Sequence, residues 1–227
     1  MKKNAGANAV MPDSIQAVIW DLDGVIIDSA DAHRRAWWRL TEELQIPYSN
    51  EQFWSTFGQR NDAIMPTLVG PLPAERLKEL GDRKEAYFRD IIRDTIAPLP
   101  GAIELLSELR DAGYPQALAS STPIANIELI SNVLELKRSL SALVSGETVP
   151  HGKPAPDIFL KAAQELGIEP LHCLVIEDAV AGIAAARAGK MYCIAVAGER
   201  DLPGLRIADL VVKDLTQVHL ATIRQLA

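Results

Sequence analysis

Two aspartates separated by one residue, Asp21 and Asp23, follow the apolar run Val18-Ile19-Trp20 and precede Gly24. In extended chain, residues two apart project to the same side, so both carboxylates would emerge together. Neighbouring carboxylates repel unless a cation or a shared proton lies between them. Alone, the pair also reads as a turn holding two solvated acids. Three other stretches carry complementary groups. Ser120-Ser121-Thr122 sets hydroxyls and amides ahead of a helical pattern, whose positive end favours an anion. Gly152-Lys153-Pro154-Ala155-Pro156-Asp157 supplies one cation before a proline-initiated helix. Glu177-Asp178 adds two carboxylates. Each has an ordinary use by itself, as a helix cap, a solvated lysine or acids at a helix N-terminus.

Together these groups make a site of hard oxygen donors, an anion-binding hydroxyl and one lysine, which suits Mg²⁺ and a phosphate ester. A carboxylate approaching a phosphate dianion meets repulsion on the order of 4 kcal/mol per unit pair at ~4 Å and an effective dielectric of ~20. Magnesium and Lys153 would offset it. The expected chemistry is phosphoryl transfer to a carboxylate.

Such residues must be brought to one edge, and the surrounding pattern predicts how. Short apolar runs at 17–20, 116–119, 142–145, 173–176, 192–196 and 209–212 alternate with helical patterns at 102–112, 124–136, 155–166 and 180–188. That alternation predicts an α/β fold with a Rossmann-like parallel sheet, whose ligands bind beyond the carboxyl ends of the strands. Gly113, Gly167 and Gly189 each follow a helical segment, where a residue at positive φ closes the helix. The first and second strands lie about 95 residues apart, far more than one crossover helix needs. The gap has helical patterns at 32–44 and 74–93, which predicts an inserted all-α cap. The expected division is a mobile tail at 1–13, a core at 14–30 and 98–227, and a cap at 31–97, with a hinge near Ala97-Pro98-Leu99-Pro100.

The segments Asp-Leu-Asp-Gly-Val, Ser120, Gly-Lys-Pro-Ala-Pro-Asp and Ile-Glu-Asp, in this order, resemble the four motifs of the haloacid dehalogenase-like (HAD) hydrolases across nearly all of the chain after the tail. The resemblance implies an aspartyl-phosphate on Asp21 and acid/base work by Asp23, whose backbone carbonyl also touches the metal. It further implies a phosphoryl grip by Ser120 and Lys153, and metal ligation by Asp21, Asp23, Glu177 and Asp178. An aspartate at position 23 points to C–O–P cleavage, since dehalogenases of this superfamily lack it.

Asp28-Ser29-Ala30 and His33-Arg34-Arg35-Ala36-Trp37 resemble the hinge and first cap helix of the branch containing β-phosphoglucomutase and sugar-phosphate phosphatases. There His33 would couple cap closure to Asp23, with a packed polar helix residue as the alternative. Phe57-Gly58-Gln59-Arg60-Asn61-Asp62 is similar to the substrate-specificity loop, with Gly58 and Arg60 candidates for substrate contact, and Lys84 is a third from the cap. Ser121 and Thr122 complete the substrate-binding set. Where mutases of this branch have a Ser-Lys-Asn-like run gripping a distal phosphate, this chain has Thr122-Pro123-Ile124. The missing cation favours hydrolysis of a small phosphorylated metabolite, a sugar phosphate foremost, over a mutase. A non-catalytic binding protein would be expected to have lost at least one of Asp21, Asp23, Lys153 or Asp178.

Composition agrees with an enzyme of small molecules. Hydrophobic residues make 48% and charged residues 23% of 227, ordinary for a globular chain. A net charge of −7 disfavours nucleic acid and anionic membranes. Cys173 and Cys193 lie in apolar runs and read as buried thiols. No stretch is apolar enough for a signal peptide or a membrane span, so the expectation is a cytoplasmic protein, and a monomer, since the motifs complete a site within one chain.

Overall fold

Strand β1 (Ala17–Trp20) is apolar throughout and fully buried, as a strand covered on both faces must be. The computed structural model describes residues 15–200 and 202–226; the tail expected at 1–13 lies outside them. The other strands are β2 (Gln116–Ser120), β3 (Ala142–Ser145), β4 (Cys173–Glu177), β5 (Tyr192–Val196) and β6 (Leu210–Val212). All pair in parallel in the order β3-β2-β1-β4-β5-β6. The chain builds outward from β1 on one side, then crosses to the other, so the crevice between β1 and β4 is the switch point where such sheets bind ligands.

Alternation sorts the side chains. Val18 and Trp20 join one core with Leu118, Leu174 and Ile176, while Ala17 and Ile19 join another with Ala117, Val175 and Cys193. The first face is covered by α5 (Ala102–Asp111). The second is covered by α7 (Asp157–Leu166) and α8 (Val180–Ala188). Helices α6 (Ile124–Val133) and α9 (Leu220–Arg224) complete this layer arrangement.

Between β1 and α5 lie four helices: α1 (Ala30–Glu43), α2 (Asn50–Thr56), α3 (Asn61–Val69) and α4 (Ala74–Ile92). Helix α1 buries Ala32, His33, Ala36, Trp37 and Leu40, a stripe of helical period that packs along α4. Trp37, Leu40, Phe53, Ile64, Met65 and Leu80 form a core of the cap's own. Where the chain leaves and re-enters the sheet domain, Leu99 N–H donates to Ile26 O at 2.8 Å and Ile27 bridges Pro98, so the two crossings run side by side.

Several boundaries differ from the pattern. Helix α7 starts at 157, since residues 153–154 form a turn and Ala155, preceding Pro156, is disfavoured in helical backbone. Helix α6 stops at 133, and Glu135 takes a left-handed conformation two residues later. Gly113 and Gly167 have positive φ as expected, but Gly189 does not; Lys190 takes that conformation instead. The short helices α2, α3 and α9 carry too few periodic residues to stand out. Both cysteines are buried free thiols. No helix among the described residues is long and apolar enough to cross a membrane.

Candidate active site

Asp21 leaves the end of β1 with its N–H held by Ile176 O at 3.0 Å, which continues the β1–β4 ladder one step beyond the strand. Leu22 points into the core, so Asp23 returns to the face of Asp21. The chain then turns at once: Ile26 and Ile27 both donate to Leu22 O, and Gly24 has φ +85°. A Cβ on Gly24 would lie 2.2 Å from Asp178 Oδ2, so this glycine is required by both turn and space.

Four strand ends deliver the remaining groups. Lys153 Nζ donates to Asp21 Oδ1 at 2.6 Å and to Glu177 Oε1 at 2.7 Å, with all three side chains buried. Glu177 Oε2 accepts the N–H groups of Asp178 and Ala179, both at 2.6 Å, at the start of α8. Asp178 Oδ2 accepts from Arg200 at 2.9 Å. The carboxylates of Asp21, Glu177 and Asp178 offer oxygens within 4.8 Å of one another.

Three buried carboxylates against the two cations Lys153 and Arg200 leave an excess negative charge. Burial therefore drives Asp21 well above its ordinary value, with Lys153 opposing and the other acids adding. Burial and Glu177 likewise push Asp178 up to about 7 against Arg200 and Lys153. Lys153 stays firmly protonated, since Asp21 and Glu177 outweigh the penalty of burial. A buried cluster of hard oxygen donors with more negative than positive charge fits a divalent cation.

Asp23 has the opposite environment. Oδ1 accepts from the Ser29 hydroxyl and lies 3.4 Å from His33 Nε2, while Oδ2 faces Ser120 Oγ at 3.4 Å. Burial alone would raise Asp23, but His33, Ser29 and the Lys84 charge outweigh it and hold the carboxyl below its ordinary value. Behind His33, Lys84 Nζ approaches Nδ1 at 2.7 Å and donates to Glu85 Oε1 at 2.8 Å. Phe88 stacks on the His33 ring at 3.9 Å. Glu85 also accepts from Asn61 of α3 and from Asn126 of α6, so cap and core share one buried polar network.

A cavity of about 400 Å³ opens from Asp23 and His33 between cap and core. Gly58, Arg60, Lys84, Ser121 and Thr122 all border it. Arg60 is already committed, to Asp62 through two nitrogens and to Val149 O at 2.9 Å. Ser120 is the last residue of β2 and accepts from Thr122 N–H at 3.2 Å, so it holds the loop rather than capping α6. Lys84 is only 2% exposed and lies inside the network, not on a solvated helix face.

Pattern reasoning missed Ser29, Glu85, Asn126 and Arg200. Asn126 has a faint signal in its four-residue spacing from Thr122, which it bonds at 3.0 Å. Arg200 has none.

A family model for haloacid dehalogenase-like hydrolases matches residues 15–190. The chain is 33% identical to the β-phosphoglucomutase of Bacillus subtilis (93% of this chain, 95% of the relative). It is 30% identical to hexitol phosphatase B of Escherichia coli (91% and 96%) and to validoxylamine A 7'-phosphate phosphatase of Streptomyces hygroscopicus (90% and 96%). The crystal structure of β-phosphoglucomutase from Clostridium difficile superposes with a TM-score of 0.84 at 27% identity, covering 93% of this chain and 96% of that one. With the four motif segments gathered at one edge of a 3-2-1-4-5-6 sheet under a helical cap, the chain belongs to the haloacid dehalogenase-like hydrolases, in the branch of β-phosphoglucomutase and the sugar-phosphate phosphatases.

Proposed function

We propose that the chain hydrolyses phosphate monoesters of small metabolites, a sugar or sugar-alcohol phosphate foremost, through an aspartyl-phosphate on Asp21. The observation that carries this reading is the division between two aspartates two residues apart. Asp21 is bound to Lys153 in a buried acidic cluster, while Asp23 faces the cavity from a separate hydrogen-bonding environment.

The phosphoryl group would lie against Lys153 and Ser120, with Asp21 in line for attack on phosphorus. Lys153 neutralises charge on the entering phosphate and keeps Asp21 oriented. Ser29 and His33 both meet Asp23 at Oδ1, whereas Oδ2 meets only Ser120 Oγ, at 3.4 Å, and Oδ2 would be the oxygen that carries the proton. Oδ2 gives that proton to the departing alcohol, then takes one from the water that cleaves the aspartyl-phosphate. Asp21, Glu177, Asp178 and the carbonyl of Asp23 would hold Mg²⁺, whose chemistry when bound is to draw charge from the phosphoryl oxygens. The cap at 31–97 closes over the core at 14–30 and 98–227, and His33 and Lys84 bring the cap's share of the site to Asp23. All these roles fall on one chain, which supports action as a monomer.

A mutase is the second reading, favoured by Arg60 at the cavity and by the mutase relatives. It needs a grip on a second phosphate, and Arg60 already gives three of its five N–H donors, and its charge, to Asp62 and Val149. The test is phosphate release from a panel of monoesters with Mg²⁺, run beside β-glucose 1-phosphate with and without glucose 1,6-bisphosphate. Isomerisation faster than phosphate release would sink the hydrolase reading; neither reaction on any ester would support binding alone.

A further inference from the structure

The cavity's rim carries an uneven set of charges. Beyond Asp23, four carboxylates border it: Asp62, Asp82, Glu85 and Glu147. Arg60 pairs with Asp62, Lys78 with Asp82 at 2.6 Å, and Lys84 with Glu85 at 2.8 Å. Glu147 has no lysine or arginine within salt-bridge distance among the described residues; Lys78 feels its charge but bonds Asp82.

Glu147 instead spends Oε2 on the N–H of Ile124 at 2.9 Å, the first residue of α6. The N-terminus of a ten-residue helix is the natural seat for an anion, and here the protein's own carboxylate fills it. The carboxylate is held there by the fold. Gly146 packs so tightly on Ser121 that a Cβ would lie 2.8 Å from Ser121 O, and Ser145 Oγ ties the same turn to Thr122 O at 2.8 Å.

We infer that Glu147 is a specificity-determining residue that restricts substrates to monoesters whose alcohol has no second anionic group. Hydroxyl-rich or amine-bearing leaving groups are accepted, whereas bisphosphates and phosphorylated acids are repelled. The inference rests on the hydrolase reading and narrows its substrate class: the α6 N-terminus, next to Pro123, is occupied by a negative charge.

The experiment compares matched pairs of esters differing only in a terminal CH₂OH or carboxylate, such as glucitol 6-phosphate against 6-phosphogluconate and glycerol 3-phosphate against 3-phosphoglycerate. The neutral member should have the higher kcat/KM, by roughly fivefold for one unit pair at a solvated rim. Glu147→Gln keeps an oxygen to accept the Ile124 N–H and removes the charge, so the ratio should collapse toward one. Calorimetry with Asp21→Asn reads binding of the same pairs without turnover. Equal or tighter binding of the acids, absence of measurable binding by every pair, or a ratio unmoved by Glu147→Gln overturns the inference. Absence of turnover by the unaltered enzyme, with the binding preference intact, overturns the hydrolase reading alone.

Discussion

Two glycines inside helices should respond to alanine in opposite directions, and space alone decides the sign. Gly182 of α8 lies under the Glu177 carboxylate: a Cβ there would come within 1.6 Å of Oε1 and 2.0 Å of the carboxyl carbon. Gly81 of α4 faces Asn61, whose Cβ would be 3.5 Å away, an ordinary contact. In both helices alanine brings about 1 kcal/mol of propensity. At Gly81 little opposes that gain. At Gly182 the new methyl must evict Glu177 from the N–H groups of Asp178 and Ala179 and from Lys153. Hydrogen bonds to a charged group contribute about 1.5–3 kcal/mol each, so losing two of three outweighs propensity by roughly 2–5 kcal/mol. For a chain of this size, about 1 kcal/mol moves Tm by about 2–4 °C. Thermal unfolding of metal-free protein should therefore show Gly81→Ala raised by up to about 4 °C and Gly182→Ala lowered by roughly 4 °C or more. A Gly182→Ala protein as stable as its parent would mean that Glu177 is free to move. The buried Lys153–Glu177 arrangement argued above would then be wrong.

Three further outcomes follow from the same geometry. Asp21→Asn should abolish both phosphate release and the phosphorylated-protein mass adduct, whereas Asp23→Asn should slow turnover by about 10²–10⁴-fold, measured by phosphate release; equal turnover in the Asp23 variant would remove its proton role. Because Asp178 is raised to about 7 in the metal-free protein, Mg²⁺ binding should displace a proton below that pH and tighten as pH rises through it. Calorimetry in buffers of different ionisation enthalpy reads the proton count, and a pH-independent affinity between 6 and 8 contradicts the charge excess described. Burial raises Glu85, but Lys84, His33 and Asn61 outweigh it and hold it below its ordinary 4.5. A depressed carboxylate contributes stability above its unfolded value and loses it as pH falls through the folded one. Tm should thus decline below about pH 4.5 less steeply in Glu85→Gln than in the parent; parallel profiles would show that the cap network does not depend on this charge.

The sequence by itself determined the order of the strands along the chain, the helical insertion and the acids at the strand ends. These are local matters. Apolar runs of four or five residues bounded by Asp, Ser or Glu mark where a buried strand must stop, and period 3.6 marks the helices between. The separate duties proposed for Asp21 and Asp23 also start from local signals, their spacing and the motifs around them. Tertiary structure alone decided what each group meets. Arg200 reaches Asp178 across 22 residues, Asn126 reaches Glu85 across 41 and Lys153 reaches Asp21 across 132. Lys84, a candidate for substrate contact in the sequence, is buried by α1 and the core and bonded to His33 and Glu85. Glu147 reaches the start of α6 across 23 residues. Such encounters depend on which strands pair and where the cap docks, and those are set by the summed burial of distant apolar faces rather than by the residues on either side of the group.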